Sequence, residues 1–295
     1  MSTRQIVLVC TVLTCLILSP FAAHAANPHF DAIFVFGDSY CDVGNIFLAS
    51  GGAQPASPPY FNGRFSNGPL FVEHIASAWG LPMKPSLQGG TDYAFGGALV
   101  TAPVPIGGGA FIPSVPQQVA LYLSQHGGKA DPNALYLLEG GGNDIIDAAG
   151  AGSPQQLGFQ IALGIATSEA ILRAAGARNF LIPNIFNVAL APEGHANAAF
   201  NTAAVLATNK DLNGFLQFEQ LLPGVRINRL DSFDLFQAIA DDATHFGFTD
   251  IIDPCLSVTF TVCADPAHTF FWDGIHPTVF GHSFLAVTIE AIYAH

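Results

Sequence analysis

A serine and a distant aspartate–histidine pair are the side chains best suited to chemistry in this sequence. Ser39 lies in FVFGDSYCDVGN, residues 34–45, two residues after the glycine that ends an apolar run. Asp273 and His276 lie three residues apart in FFWDGIHPT, residues 270–278. A serine hydroxyl is a weak nucleophile unless a general base takes its proton. In Asp-x-x-His on one turn, the carboxylate can hold the imidazole Nδ1–H and leave Nε2 free as that base.

Each motif also has a purely structural interpretation. Ser39 could cap the N-terminus of a helix, since serine is a favoured residue there. An isolated Asp-x-x-His pattern is more often structural than catalytic. Nucleophilic catalysis is therefore predicted from the two motifs together, not from either one alone.

Acyl transfer also requires hydrogen-bond donors at the developing oxyanion, and two glycine-rich segments could supply them. YAFGGA places Gly96 and Gly97 after an apolar run, where a missing Cβ lets a backbone N–H approach a substrate. EGGGND places Asn143, with its side-chain amide, after another apolar run. The alternative is that these glycines only form tight turns. The nucleotide-binding patterns G-x-G-x-x-G and G-x-x-x-x-G-K-[ST] are absent, as is the G-x-S-x-G elbow of ordinary α/β-hydrolases.

The elements that must position these residues alternate between β-type and helical patterns. Short apolar runs, each ended by Gly, Pro or a polar residue, predict buried parallel strands at residues 31–36, 91–95, 134–138, 178–182 and 225–230. Helical patterns cover residues 70–79, 116–125, 154–175, 197–220, 233–241 and 279–293. This alternation predicts a doubly wound α/β fold. Ligands bind at the carboxyl ends of strands in such folds, where Ser39, Gly97 and Asn143 all lie.

Two Pro/Gly-rich stretches, residues 50–67 and 101–115, are expected to be long surface loops. Long loops in a compact domain are often functional. The sequence contains no internal repeat and no charged or serine-rich linker, so residues 26–295 are expected to form one domain.

Composition excludes several classes of protein. Half of the 295 residues are apolar and only 11% are charged, against a typical charged fraction of about 25%. This excludes a disordered chain or a coiled coil. Nine basic against 22 acidic residues, with a net charge of −13, argue against a nucleic-acid partner.

The N-terminus has the pattern of a secretory signal peptide, residues 1–25. Arg4 precedes an uncharged apolar run at residues 6–18, and small residues at positions 23 and 25 favour cleavage near Ala25. An uncleaved anchor is the alternative, but the run is shorter than the roughly 20 residues that a membrane span needs. The mature protein is therefore expected to be secreted or periplasmic, without a stable membrane span.

Export would place the remaining cysteines in an oxidising compartment, where Cys255 and Cys263 are expected to form a disulfide. The alternative is a metal site that adds His268 and His276, but none of the usual zinc spacings is present, so no metal is expected. Cys41 is expected to be a small buried thiol.

Taken together, the motifs resemble the SGNH/GDSL hydrolase family, in particular a secreted bacterial member of its plant-type GDSL lipase/esterase branch. GDSYCDVGN is similar to the GDSL motif, with Tyr40 in place of the leucine. PPYFNGRFSNGPLFVEHIA, DYAFGGA, LLEGGGND and FWDGIHPT are similar to the later blocks of that family, in the same order. The resemblance implies a three-layer α/β/α sandwich with a flavodoxin-like, five-stranded parallel sheet.

The resemblance also implies a role for each motif residue. Ser39 is the expected nucleophile, His276 the general base and Asp273 its orienting carboxylate. The backbone amides of Ser39 and Gly97 and the side chain of Asn143 form the expected oxyanion hole. No organic cofactor or metal is implied.

The expected activity is therefore hydrolysis of a small-molecule or lipid carboxylic ester through an acyl-enzyme. The alternatives are acyl transfer to an alcohol, a carbohydrate O-acetylesterase, and an inactive binding protein on the same fold. No oligomeric state follows from the sequence.

Other residues near the motifs are expected to have structural or binding roles. Asp42 and Asn45 are expected to tie down the loop after Ser39, and Asp144 to cap a helix. Candidate residues for an acyl pocket are Phe61, Phe65, Phe95 and Phe111.

Overall fold

The computed structural model describes residues 29–107 and 109–294. The expected signal peptide, residues 1–25, lies outside the described residues. The described part contains β1 (Ile33–Phe36), β2 (Val104–Gly107), β3 (Ala110–Ile112), β4 (Leu135–Leu138), β5 (Asn179–Leu181) and β6 (Arg226–Asn228). Its α-helices are α1 (Asn45–Ala49), α2 (Phe71–Ala78), α3 (Val115–Gln125), α4 (Gly142–Asp147), α5 (Pro154–Ala175), α6 (Ala198–Glu219), α7 (Ser232–Asp241) and α8 (Val279–Tyr293).

Four strands form a parallel sheet in the order β1-β4-β5-β6, and helices flank it. All residues of β1 and β4 are buried, as expected for central strands covered on both faces. The α2 helix packs on α8, and α5 packs on both α3 and α6. The α/β sandwich predicted from the sequence is thus confirmed, and it places the carboxyl ends of β1 and β4 side by side.

One of the five predicted strands, residues 91–95, is an extended segment beside β1 and not a regular strand. Val35 N donates to Thr91 O at 3.1 Å, Tyr93 N to Val35 O at 2.7 Å, and Phe95 N to Gly37 O at 3.1 Å. These bonds put the segment in the flavodoxin-like position next to β1. The Asp92 side chain accepts the N–H of Ala94, and this local turn competes with a regular ladder.

The predicted helices form within two residues of their expected bounds, and α5 and α8 match them. Ser153 caps α5 by accepting the N–H of Gln156, and Gly176 ends it with a φ of +124°. Thr278 caps α8 by accepting the N–H of Gly281. The short helices α1 and α4 were not predicted, because five or six residues are too few to show a helical period.

The two expected loops differ in structure. Residues 50–67 are irregular, as predicted. Residues 101–115 instead contain the antiparallel hairpin β2–β3, whose Ile106 and Phe111 are about half exposed. The many glycines and prolines of this stretch hide the hairpin from a pattern-based prediction.

Cys255 and Cys263 form a disulfide, as predicted, and the alternative metal site is wrong because both sulfurs are bonded to each other. Together with Leu256 and Trp272 they form a small apolar cluster apart from the main core, against which Tyr60 packs. Cys41 is a free, buried thiol, as expected. None of the helices within residues 29–107 and 109–294 has the length and apolarity to cross a bilayer.

Candidate active site

Ser39 lies in a tight turn directly after β1, at the carboxyl edge of the sheet. Asp38 holds this turn, since its Oδ1 accepts the N–H of Tyr40 at 3.1 Å and its carbonyl accepts the N–H groups of Cys41 and Asp42. The Ser39 residue is only 5% exposed. The next helix, α1, begins six residues later with Gly44 as its N-cap, so the alternative that Ser39 caps a helix is wrong.

The fold brings Ser39, His276 and Asp273 into one hydrogen-bonded chain. Ser39 Oγ lies 2.7 Å from Nε2 of His276. Nδ1 of the same imidazole lies 2.8 Å from Oδ1 and 2.7 Å from Oδ2 of Asp273. With the proton on Nδ1, the carboxylate fixes the tautomer that leaves Nε2 as an acceptor for the serine proton. The three residues therefore have the geometry of a nucleophile, a base and an orienting carboxylate.

Four donors surround the Asp273 carboxylate. Its Oδ1 accepts the backbone N–H groups of Ile275 at 3.0 Å and His276 at 2.8 Å, and its Oδ2 accepts the hydroxyl of Tyr60 at 2.7 Å. The fourth donor is the His276 ring. Burial alone would raise the pKa of Asp273, but the charge of His276 and these hydrogen bonds lower that pKa to about 2. Asp273 is thus an anion at any pH near neutrality.

The surroundings of His276 make it a stronger base than a free imidazole. Burial lowers its pKa, but Asp273, and then Asp38 and Glu193, outweigh burial and raise the pKa above its ordinary value. The rings of Phe65 and Tyr40 lie 5.1 and 5.8 Å from the imidazole and enclose it. The Tyr40 hydroxyl donates to the carbonyl of Ile275 at 2.7 Å and so links the nucleophile turn to the histidine loop.

The expected oxyanion donors lie on the turn after β1, on the loop after residues 91–95 and in α4. Among the hydrogen bonds of the described residues, none is donated by the backbone N–H of Ser39 or Gly97. Gly97 has a φ of +77°, which a residue with a Cβ rarely adopts. The Asn143 side chain, in the first turn of α4, donates to the carbonyl of Ala98 at 3.0 Å. Ser39 and Asn143 line the same cavity.

Asp42 ties down the loop after Ser39, as expected, and it also connects this loop to the loop of Gly97, which the sequence did not predict. Its fully buried carboxylate accepts N–H groups from Gly44 at 2.8 Å and Ile46 at 3.0 Å on one side, and from Gly96 at 2.8 Å on the other. The Asn45 side chain donates to the carbonyls of Asp92 and Ala94. The loop after Ser39 and the loop of Gly97 are therefore held together by buried side-chain hydrogen bonds.

Asp144 does not cap α4, contrary to expectation. Its carboxylate accepts the backbone N–H groups of Val100 and Thr101 and the Thr101 hydroxyl. These bonds tie α4 to the segment after Gly97. Buried backbone N–H groups are almost always paired, and the Asp144 carboxylate is the acceptor for those of Val100 and Thr101.

An apolar cavity opens beside Ser39 and Asn143. Its walls are side chains from the carboxyl ends of the sheet and from neighbouring helices: Tyr40, Phe71, Ile185, Phe186, Leu230, Phe236, Ile275 and Leu285. The four phenylalanines proposed from the sequence do not line it; Phe65 packs on His276 and Phe111 is half exposed. Ile185 and Phe186 lie in the segment that follows β5, so the rule that ligands bind at strand ends could have identified them.

Two carboxyl groups, Asp38 and Glu139, form the polar edge of this cavity. Oε2 of Glu139 accepts the backbone N–H of Asp38 at 3.3 Å and lies 3.7 Å from Sγ of Cys41. Burial raises the pKa of Asp38 to about 6, and burial and the charge of Asp38 raise that of Glu139. Two neighbouring carboxyls share a proton more readily than they both ionise. Nothing in the sequence distinguishes Glu139, so this pair was not predicted.

Comparison with known proteins identifies chains that are similar to this one. A family described as GDSL-like Lipase/Acylhydrolase matches residues 33–289. The chain is 28% identical over 279 residues to the thermolabile hemolysin of Vibrio parahaemolyticus, covering 86% of this chain and 62% of the hemolysin. It is 26% identical to acetylajmalan esterase 2 of Rauvolfia serpentina, covering 86% of this chain and 87% of the esterase.

Two further comparisons concern a transferase and the fold. Phosphatidylcholine-sterol acyltransferase of Aeromonas hydrophila is 25% identical, covering 78% of this chain and 67% of that protein. A crystal structure of a lipolytic protein of the G-D-S-L family from Veillonella parvula superposes with a TM-score of 0.51 at 15% identity. It covers 90% of this chain and 98% of the Veillonella chain, and at this identity it supports the fold alone.

Proposed function

Because the chain belongs to the GDSL-like lipase/acylhydrolase family, we propose that it is a secreted serine hydrolase of carboxylic esters. The observation that carries the proposal is the hydrogen-bonded chain from Ser39 through His276 to Asp273 at the carboxyl edge of the sheet. An inactive binding protein would have no need for a buried serine 2.7 Å from the Nε2 of a histidine held by a carboxylate.

In the proposed mechanism, Ser39 Oγ attacks the carbonyl carbon of the ester while Nε2 of His276 takes the hydroxyl proton. Asp273 stabilises the imidazolium that forms. The N–H groups of Ser39 and Gly97 and the amide of Asn143 donate to the oxyanion. His276 then gives its proton to the leaving alcohol, and the acyl group remains on Ser39. Water, deprotonated by His276, attacks this acyl-enzyme and releases the acid.

The cavity beside Ser39 supports an ester with an apolar group as the substrate. Its walls are aromatic and aliphatic, and they begin next to the serine and Asn143. Burial of a methylene group contributes about 0.8 kcal/mol, so each carbon that enters the cavity should strengthen binding. We assign the cavity to the acyl chain.

Transfer of the acyl group to an alcohol is the second candidate, and the similarity to the Aeromonas acyltransferase favours it. The two reactions share the acyl-enzyme and differ only in whether water or an alcohol attacks it. Product analysis with an added alcohol distinguishes them: a transferase gives a new ester, whereas a hydrolase gives free acid.

Secretion is supported by two features. The first 25 residues have the pattern of a signal peptide, and the Cys255–Cys263 disulfide requires an oxidising compartment. Mass spectrometry of the protein from culture medium and from the periplasm would give its location. An N-terminus near residue 26 is expected.

The experiment that tests the activity is hydrolysis of nitrophenyl esters of increasing acyl length. Wild type should hydrolyse them, Ser39→Ala should not, and the exposed control Ser124→Ala should match wild type. Both variants should keep the melting temperature of wild type. Hydrolysis by Ser39→Ala at the wild-type rate would overturn the proposal.

A further inference from the structure

The Asp273 carboxylate has one donor that does not come from its own loop. Three of its donors, the N–H groups of Ile275 and His276 and the imidazole Nδ1–H, lie within residues 273–276. The fourth is the hydroxyl of Tyr60, which is 213 residues away in the sequence and lies in the irregular segment 50–67. Tyr60 therefore connects this segment to the proposed catalytic centre.

Packing holds the Tyr60 ring in place independently of that hydrogen bond. The ring lies edge-on to Trp272, at 6.3 Å between centroids, and to Phe65, at 6.0 Å. Phe65 in turn packs on the imidazole of His276. Through Trp272, Tyr60 packs against the disulfide cluster, which also contains Cys255, Leu256 and Cys263. A ring fixed on several sides can position a hydroxyl without losing much entropy when the bond forms.

The Tyr60 hydroxyl can act only as a donor toward Asp273. Burial, and then the charge of Asp273, raise the pKa of Tyr60 well above its ordinary value. Since Asp273 is an anion, it has no proton to give back. A donor on Oδ2 shares the negative charge that would otherwise act on the imidazole alone, and it prevents the carboxylate from rotating away from Nδ1.

We propose that Tyr60 is a positioning residue for the hydrolytic reaction: its hydroxyl orients the Asp273 carboxylate and sets the basicity of His276. This inference rests on the proposed function. Segment 50–67 then takes part in catalysis through Tyr60, and the disulfide cluster supports the Tyr60 ring.

The test measures the rate at which a fluorophosphonate labels Ser39, as a function of pH, because this rate reports the nucleophile without a natural substrate. Tyr60→Phe keeps the ring and removes the oxygen. It should slow labelling at the plateau roughly tenfold, the cost of losing one hydrogen bond to a charged group. It should also move the acid midpoint to higher pH, since an unshared Asp273 charge favours the imidazolium more strongly.

A double variant separates positioning from a general effect on structure. With Asp273→Asn present, the tyrosine has no carboxylate to orient, and adding Tyr60→Phe should change labelling less than about twofold. The matched control is Tyr136→Phe. The Tyr136 hydroxyl forms hydrogen bonds with the Tyr122 hydroxyl and the carbonyl of Asp131, which precedes β4 and lies away from the carboxyl edge of the sheet. Its loss should change neither the labelling rate nor the acid midpoint.

A second replacement covers the case in which Tyr60→Phe does not fold. Site-specific 3-fluorotyrosine at position 60 keeps the shape of the residue and makes the phenol a stronger donor. The acid midpoint should then move to lower pH, opposite to the shift in Tyr60→Phe. A purely structural role predicts no shift in either direction.

The outcomes distinguish this inference from the function on which it rests. If the wild type is not labelled at Ser39, both fail. If wild type is labelled but folded Tyr60→Phe has the wild-type plateau and midpoint, only the role of Tyr60 is wrong. An equal loss in the wild-type and Asp273→Asn backgrounds, or an unchanged midpoint with 3-fluorotyrosine, would also overturn that role.

Discussion

At the scale of single residues, His276 determines how the rate of the proposed hydrolysis depends on pH. Only the neutral imidazole can accept the Ser39 proton, and the charges of Asp273, Asp38 and Glu193 raise its pKa. The acid limb of a kcat/KM profile should therefore have its midpoint above the ordinary histidine value of 6.5. Initial rates on a neutral ester across this range measure it. A midpoint below 6.5 would contradict the electrostatics of the site.

Asp273→Asn tests the orienting carboxylate. The amide cannot accept the Nδ1–H in the same way, so the wrong tautomer is favoured and kcat should fall by up to ~10⁴. The acid midpoint should fall as well, because the charge that raises the His276 pKa is gone. Near-full activity in this variant would remove Asp273 from the mechanism.

Asn143→Ala tests the oxyanion hole. The amide contributes most when the oxygen is anionic, so kcat should fall about 10²–10³-fold with little change in KM. The exposed Asn133→Ala is the matched control and should behave as wild type. If Asn143 only ties its loop to the carbonyl of Ala98, the variant should lose melting temperature and keep its kcat.

At the scale of elements, the sequence predicts well where local signals and burial agree. Ser153 and Gly176 bound α5, and both its ends were predicted correctly. The sequence predicts poorly where a side chain, nearby or distant, accepts a backbone N–H that the expected pattern would use differently. Asp92 turns residues 91–95 away from a regular strand, and Asp144 bonds Val100 instead of capping α4. The β2–β3 hairpin escapes prediction because its sequence consists largely of turn-forming residues.

The same limit applies to the site. Ser39, His276, Asp273, Gly97 and Asn143 follow from motifs that are local in sequence. Tyr60 and Glu139 do not, because their significance arises from contacts across the fold. Tyr60 and Asp273 are 213 residues apart, and no periodicity relates them.

The disulfide is an element-scale feature with a measurable effect. Closing the short segment between Cys255 and Cys263 should stabilise the protein by roughly 2–3 kcal/mol in the chain-entropy account. Cys255→Ser/Cys263→Ser should therefore unfold at lower denaturant concentration, and its kcat should fall because Tyr60 packs on this cluster. Equal stability with and without the disulfide would contradict the prediction.

At the scale of the whole molecule, buried acids determine how stability varies with pH. Burial raises the pKa of Asp38 to about 6 and that of Glu169 to about 7. A carboxyl with a raised folded pKa binds its proton more tightly in the folded state, so it destabilises the fold as pH rises through that value. The raised His276 pKa acts in the same direction. The lowered pKa of Asp273 affects stability only as pH falls from 3.8 through about 2.

Buried His282 acts in the opposite direction below its ordinary value of 6.5, because burial lowers its pKa to about 3. The melting temperature should accordingly fall as pH rises from about 6.5 to about 8, where Glu169 and His276 still lose their protons. The formal net charge of −13 counts every acid as ionised, so the negative charge approaches this value over the interval as the buried acids lose their protons, and self-repulsion grows in the same direction. Thermal denaturation at constant ionic strength measures the trend. A melting temperature that rises over this interval would contradict the assigned pKa shifts.

Trapping the acyl-enzyme tests the central claim most directly. Wild type is mixed with an excess of a nitrophenyl ester, quenched in acid within one turnover, digested and analysed by mass spectrometry. The account predicts an added acyl mass on the peptide that contains Ser39, at Ser39 itself, and none in Ser39→Ala. An acyl group on another residue, or turnover of the ester with no acylated peptide at any quench time, would contradict it.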